Sequence, residues 1–105
     1  MAGPEHLIPL KARAWLDLMR RKSAGDAIDS RSIAKHKNDV FRLYRIIDPG
    51  FKQVIPREIR DDMEAFLGAM VSEQVDLKNL GMKDQNLVAI LEELRSLYVS
   101  PYESI

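Results

Sequence analysis

Three basic residues and one carboxylate stand where they invite chemistry. Around the first amphipathic stretch, Leu7, Ile8, Leu10, Ala14, Trp15, Leu18 and Met19 trace one broad apolar arc, and Lys11 falls near its middle. An ammonium among apolar neighbours is costly unless its head reaches water, a carboxylate or an anionic ligand. In the second stretch Ile33, Val40, Phe41, Leu43, Tyr44 and Ile47 form the arc, His36 and Lys37 lie inside it, and Asp39 sits at its edge. Lys11, His36 and Lys37 could line a cationic pocket between two helices, suited to phosphate or carboxylate. Two plainer readings stand beside this one. Lys11 can snorkel past Trp15 to solvent, and the second helix can be exposed over its N-terminal half and pack only beyond Val40.

Other side chains are weaker candidates. His6 and His36 are the only histidines and have no metal-ligand partners at useful spacing, so no zinc site is expected. Asp61-Asp62 and Glu92-Glu93 are adjacent on helices, diverge by about 100° and read as solvated faces. The five glycines form no phosphate-cradling loop, and no Ser-His-Asp arrangement can be argued. Arg20-Arg21-Lys22 could touch nucleic-acid phosphates, but a basic run at the negative end of a helix dipole explains it as simply.

The elements that would position these groups are four helices. The first runs from about Pro4 or Ile8 to Lys22, with Gly25 as its left-handed cap. A second opens at Asp29-Ser30 and runs to about Ile47, where Asp48-Pro49-Gly50 stops it. After an irregular stretch through Val54-Ile55, a third starts at Pro56-Arg57-Glu58 and runs to about Ser72, with Ile59, Met63, Phe66, Leu67 and Met70 on one face. The last spans Lys83 to about Tyr98, with Leu87, Leu91, Leu94 and Tyr98 at helical spacing. No segment alternates with period two. The fold class expected is all-α, a single small bundle of about four helices in one domain over 1–105.

Bulk composition narrows the function classes. The 105 residues suit one core, and the absence of cysteine removes disulfides, thiolate metal sites and cysteine nucleophiles together. No apolar run approaches bilayer length and the N-terminus does not read as a signal peptide, so a cytoplasmic protein without membrane contact is expected. Net charge is zero but unevenly spread. Residues 1–52 hold 11 Lys/Arg against 6 Asp/Glu, and residues 53–105 hold 5 against 10. The basic half could face an anionic partner, or the halves could attract one another.

Two stretches carry a family resemblance: PEHLIPLKARAWLDL at 4–18 and KHKNDVFRL at 35–43. Together they resemble the C-terminal helical part of the AbiEii/AbiGii-type nucleotidyltransferases, toxins of abortive-infection systems, over about residues 4–47. The family has a lysine in a Lys-x-x-Ala context, matched by Lys11 and Ala14, and later a basic residue followed by Asp. Lys37 to Asp39 matches the second with Asn38 interposed. The resemblance implies that Lys11, with His36 and Lys37, contacts nucleotide phosphates, and that Asp39 orients the basic group or assists the acceptor.

The same resemblance marks what this chain lacks. The upstream Gly-Gly or Gly-Ser turn and the paired acids that hold a divalent metal do not occur here, and Arg42 stands where the family often has a second acid. The chain is therefore expected not to catalyse alone. Lys11 and Asp39 would act only with a missing N-terminal half, which would bring nucleotide and Mg²⁺, neither being a cofactor of this chain by itself. The rival expectation is a stand-alone helical interaction module, homodimeric or bound to a partner protein. Nucleic-acid binding by the basic half is a third.

Overall fold

The computed structural model describes residues 3–47 and 55–99. The chain is all-α: α1 spans Pro4–Ser23, α2 Ser30–Tyr44, α3 Arg57–Met70 and α4 Leu87–Tyr98. Among the described residues there is no strand, and no helix is long and apolar enough to cross a membrane. The chain divides into two compact units, Met1–Pro49 and Gly50–Ile105. The basic half of the sequence nearly coincides with the first. The expected Asp48-Pro49-Gly50 stop and the irregular stretch as far as Val54 lie outside the described residues.

In the first unit α1 packs against α2. Pro4 occupies the first turn of α1, where a missing N–H costs nothing, whereas Pro9 lies deeper and removes one backbone donor without ending the helix. The helix ends in a Schellman motif: Asp26 N–H donates to Arg21 O at 3.0 Å and Gly25 N–H to Lys22 O at 3.1 Å. Gly25 adopts φ 101°, a left-handed conformation that favours glycine. Asp29 caps α2 by accepting the Arg31 N–H at 2.9 Å. The helix closes at Tyr44, three residues short of the expected Ile47, and the chain continues in turns that still bury Ile47.

The buried face of α1 corrects the apolar arc. Ile8, Pro9, Ala12 and Trp15 are buried, whereas Leu10 is 61% exposed. These residues centre the face about 80–100° away from the middle of the expected arc, so that Lys11 flanks it instead of bisecting it. Ala12 and Pro9 lie at the centre and far side of the shifted face. Ala12 is wholly buried, and its methyl lets backbones approach where a larger side chain would hold them apart. On α2 Ile33, Val40 and Phe41 are buried, while His36, Lys37 and Asp39 are each half-buried.

In the second unit α3 packs against α4. Met63, Phe66, Leu67 and Met70 from α3 and Ile90, Leu91, Leu94 and Tyr98 from α4 are buried, together with Leu80 and Met82 from the connection. Each such side chain stabilises its unit by about 1.5–3 kcal/mol. Arg95 of α4 reaches Glu64 of α3 at 3.6 Å, an exposed contact worth little by itself. The last helix begins at Leu87, four residues later than expected, because the Asn86 side chain accepts the Ala89 N–H at 3.2 Å. Residues 83–85 form a turn instead, with Gln85 N–H donating to Met82 O.

Candidate functional site

Helix α2 presents Lys35, Asp39 and Arg42 along one strip. Residues three and four apart on a helix are neighbours, so Asp39 has a cation one turn before it and another one turn after. Lys35 Nζ lies 3.1 Å from Asp39 Oδ2, and Arg42 Nη1 lies 2.9 Å from Oδ1. The third cation crosses from α1. Lys11 Nζ reaches the same Oδ2 at 3.1 Å. One carboxylate therefore holds three cations and ties the two helices together.

Exposure grades these contacts. The Asp39 side chain is 16% exposed and Lys11 30%, against 64% for Lys35 and 55% for Arg42. The Lys11–Asp39 pair is thus the shielded member of the group, while the other two are screened by water. A lysine on the flank of an apolar face needed a carboxylate, a ligand or water. It has found the carboxylate.

The electrostatics follow from this geometry. Burial pushes the Asp39 carboxyl upward, but hydrogen bonds from Lys35, Lys11 and Arg42 outweigh it and hold the group below the usual carboxylate range. A carboxylate so held, with both oxygens occupied, is a weak proton acceptor, and it suits orientation of Lys11 better than general-base work. His36 lies close enough to sense the same cluster. Burial first, then the charges of Lys11 and Lys35, lower its pKa, and Asp39 only partly offsets them. Its Nδ1 is enclosed and has no hydrogen-bond partner among the described residues.

Of the four residues singled out in the sequence, Lys11, His36 and Asp39 come together. Lys37, two residues from Asp39 on the helix, projects about 160° away from it around the axis, in line with the buried Ile33 and Phe41 one turn to either side. Lys35 and Arg42 were the residues missed, and their spacing from Asp39 was the signal that could have found them. His6 is exposed beside Glu5 at 3.8 Å. Arg20 and Arg21 both engage Asp17, at 2.7 and 3.2 Å, in the last turn of α1.

The cluster gathers three cationic groups around one carboxylate. Among the described residues no three His, Cys, Asp or Glu side chains are grouped to ligate a metal ion. The Asp39 carboxylate is occupied by its three cations. No protein-family model matches this chain, and neither a curated protein nor a solved structure matches it.

Proposed function

We propose that the α1–α2 unit is the phosphate-binding helical part of a nucleotidyltransferase-like protein of the toxin–antitoxin type. In this reading it works beside a catalytic half that supplies the metal and the triphosphate-holding turn. Lys11 contacts the phosphates, Lys35 extends the cationic surface, His36 adds a polar ring beside it, and Asp39 orients Lys11. Lys37, about 160° around α2 from Asp39, would reach a phosphate only from outside the cluster. The observation that carries the reading is the ratio in the cluster: three cations, drawn from two helices, converge on one half-buried carboxylate. That leaves a local surplus of positive charge, an arrangement suited to a multiply charged phosphate.

The test is a titration of the ¹⁵N-labelled chain with a nucleoside triphosphate, alone and with Mg²⁺. Amide shifts gathered around Lys11, Lys35, His36 and Asp39, and weakened by Lys11→Ala, are the expected result. Absence of perturbation at millimolar nucleotide, or an unchanged response in the variant, would end the proposal.

A second reading, a stand-alone interaction module, draws on Leu10 and Ile46. They are 61% and 67% exposed, large apolar side chains of the same unit left to solvent. Concentration-dependent self-association lost in Leu10→Ser, without any nucleotide response, would favour it.

A further inference from the structure

All three cationic heads of the cluster lie within 3.1 Å of the Asp39 carboxylate, but they divide between its oxygens. Lys11 and Lys35 share Oδ2, so their ammonium groups are no farther apart than twice that distance. Arg42 alone approaches Oδ1, at 2.9 Å through Nη1. An ammonium carries three N–H donors and a guanidinium five, so donors remain on every head for an anion lying over the carboxylate. The heads are open to such an anion, because all three basic side chains are more exposed than Asp39.

Charge decides which anion suits them. Lys11 and Lys35 against Asp39 leave a surplus of one positive charge. Arg42 raises the surplus to two, and a carboxylate in its place would cancel it. A phosphate monoester carries about −1.5 to −2 near pH 7, which matches the larger surplus. A phosphodiester carries a single negative charge.

We propose that Arg42 makes the cluster a seat for a dianionic phosphate group, a monoester or free phosphate, in preference to a diester. The idea rests on the phosphate-binding reading above and adds the residue that sets its selectivity. Lys11 and Lys35 hold the anion at the Oδ2 end of the carboxylate. At the Oδ1 end Arg42 meets it with a planar fork that suits a pair of phosphate oxygens. Asp39 keeps the three heads converged. A change of charge at position 42 therefore acts on each ligand in proportion to that ligand's own charge.

AMP and its 3′,5′-cyclic form are the probes, alike in base and sugar but a monoester in one and a diester in the other. Each is titrated at pH 7.5 into the full 105-residue chain, with NMR following the amides around Lys11, Lys35 and Arg42. The same titrations are run on Arg42→Gln, Arg42→Lys and Arg20→Gln. Arg20 engages Asp17, outside the cluster, so its variant controls for a general loss of charge. One pair of unit charges about 4 Å apart is worth about fivefold in water. Arg42→Gln should therefore lose about fivefold for the cyclic form and about twenty-five-fold for AMP. Arg42→Lys should recover most of both losses, and Arg20→Gln should match the parent. Inorganic phosphate, titrated in parallel, should lose as much as AMP does in Arg42→Gln. Affinity equal to that of AMP would assign the seat to the phosphate group alone, and weaker affinity to a nucleotide, the charge rule holding in both cases. Equal losses for AMP and its cyclic form, or equal affinity for the two in the parent, would overturn this inference and leave the phosphate reading standing. So would a response to a nucleoside triphosphate alone. No response to any of these phosphates would overturn both.

Discussion

The Lys11 ammonium sits 3.1 Å from Asp39 Oδ2, and through that contact one turn of α1 is fastened to one turn of α2. The two partners are not equivalent. Asp39 also holds Lys35 and Arg42, whereas Lys11 is one of three donors to a carboxylate that keeps two others without it. Removing one side of a shielded ion pair is destabilising when the remaining charge is left uncompensated. Lys11→Met leaves Asp39 with two cations and adds apolar surface to the flank of a buried face, so it should cost less than about 1 kcal/mol. Asp39→Ala leaves three cations converging on nothing and should cost about 1–3 kcal/mol. Urea unfolding of both variants checks the order, and equal losses would contradict it.

Acid should weaken the fold in two steps. The folded state holds His36 below its ordinary value of 6.5, so in that window the unfolded chain binds the extra proton. Stability is therefore present above about 6.5 and declines as pH falls through the lowered value. Asp39 repeats the pattern lower down. Its contribution is present above the ordinary 3.8 and is lost as pH falls through its depressed folded value. Thermal melts from pH 8 to 3 should show both limbs. His36→Gln should abolish the upper one and keep the lower.

Helix punctuation gives a third prediction. Gly25 at φ 101° and the Asp29 cap bracket the connection between α1 and α2. Gly25→Ala forces a side chain into the left-handed region and should cost about 1–2 kcal/mol. Asp29→Ala frees the Arg31 N–H and should cost about 1 kcal/mol. Denaturant midpoints measure both, and an Asp29→Asn variant, which keeps the acceptor, should recover most of the loss.

How far the sequence could be read follows the range of each interaction. Gly25, Asp29 and the 3.6-residue periods of α1, α2 and α3 are local signals, and the helices appear where those signals stand. The start of α4 was misplaced because Lys83 and Asp84 resemble a first turn, while the Asn86 side chain does the capping. The face of α1 differs from the expected arc because a wheel weights Leu10 heavily and Ala12 hardly at all, whereas Ala12 is wholly buried beside Ile8 and Leu10 is exposed. Lys35 and Arg42 were legible from their spacing to Asp39. The bridge from Lys11 was not. It depends on the register between α1 and α2, which no periodicity within either helix specifies.

The last prediction concerns Gly68, which lies in the final turns of α3, is exposed, and would find nothing within 4 Å of an added Cβ. Its φ is not in the left-handed region, so no backbone conformation reserves the position for glycine. Glycine in a helix gives up more backbone freedom on folding than alanine does, a difference of about 0.5–1 kcal/mol at exposed interior positions. Gly68→Ala should stabilise by at most that amount, since the position is near the helix end, where fraying already releases part of the cost. Hydrogen exchange should show the gain as slower opening of the amides of α3, with those of α1 and α2 unchanged if the two units open independently. Equal slowing in all four helices would mean instead that the units unfold as one cooperative body. A loss of stability would mean that the glycine serves a contact made by something outside the described residues.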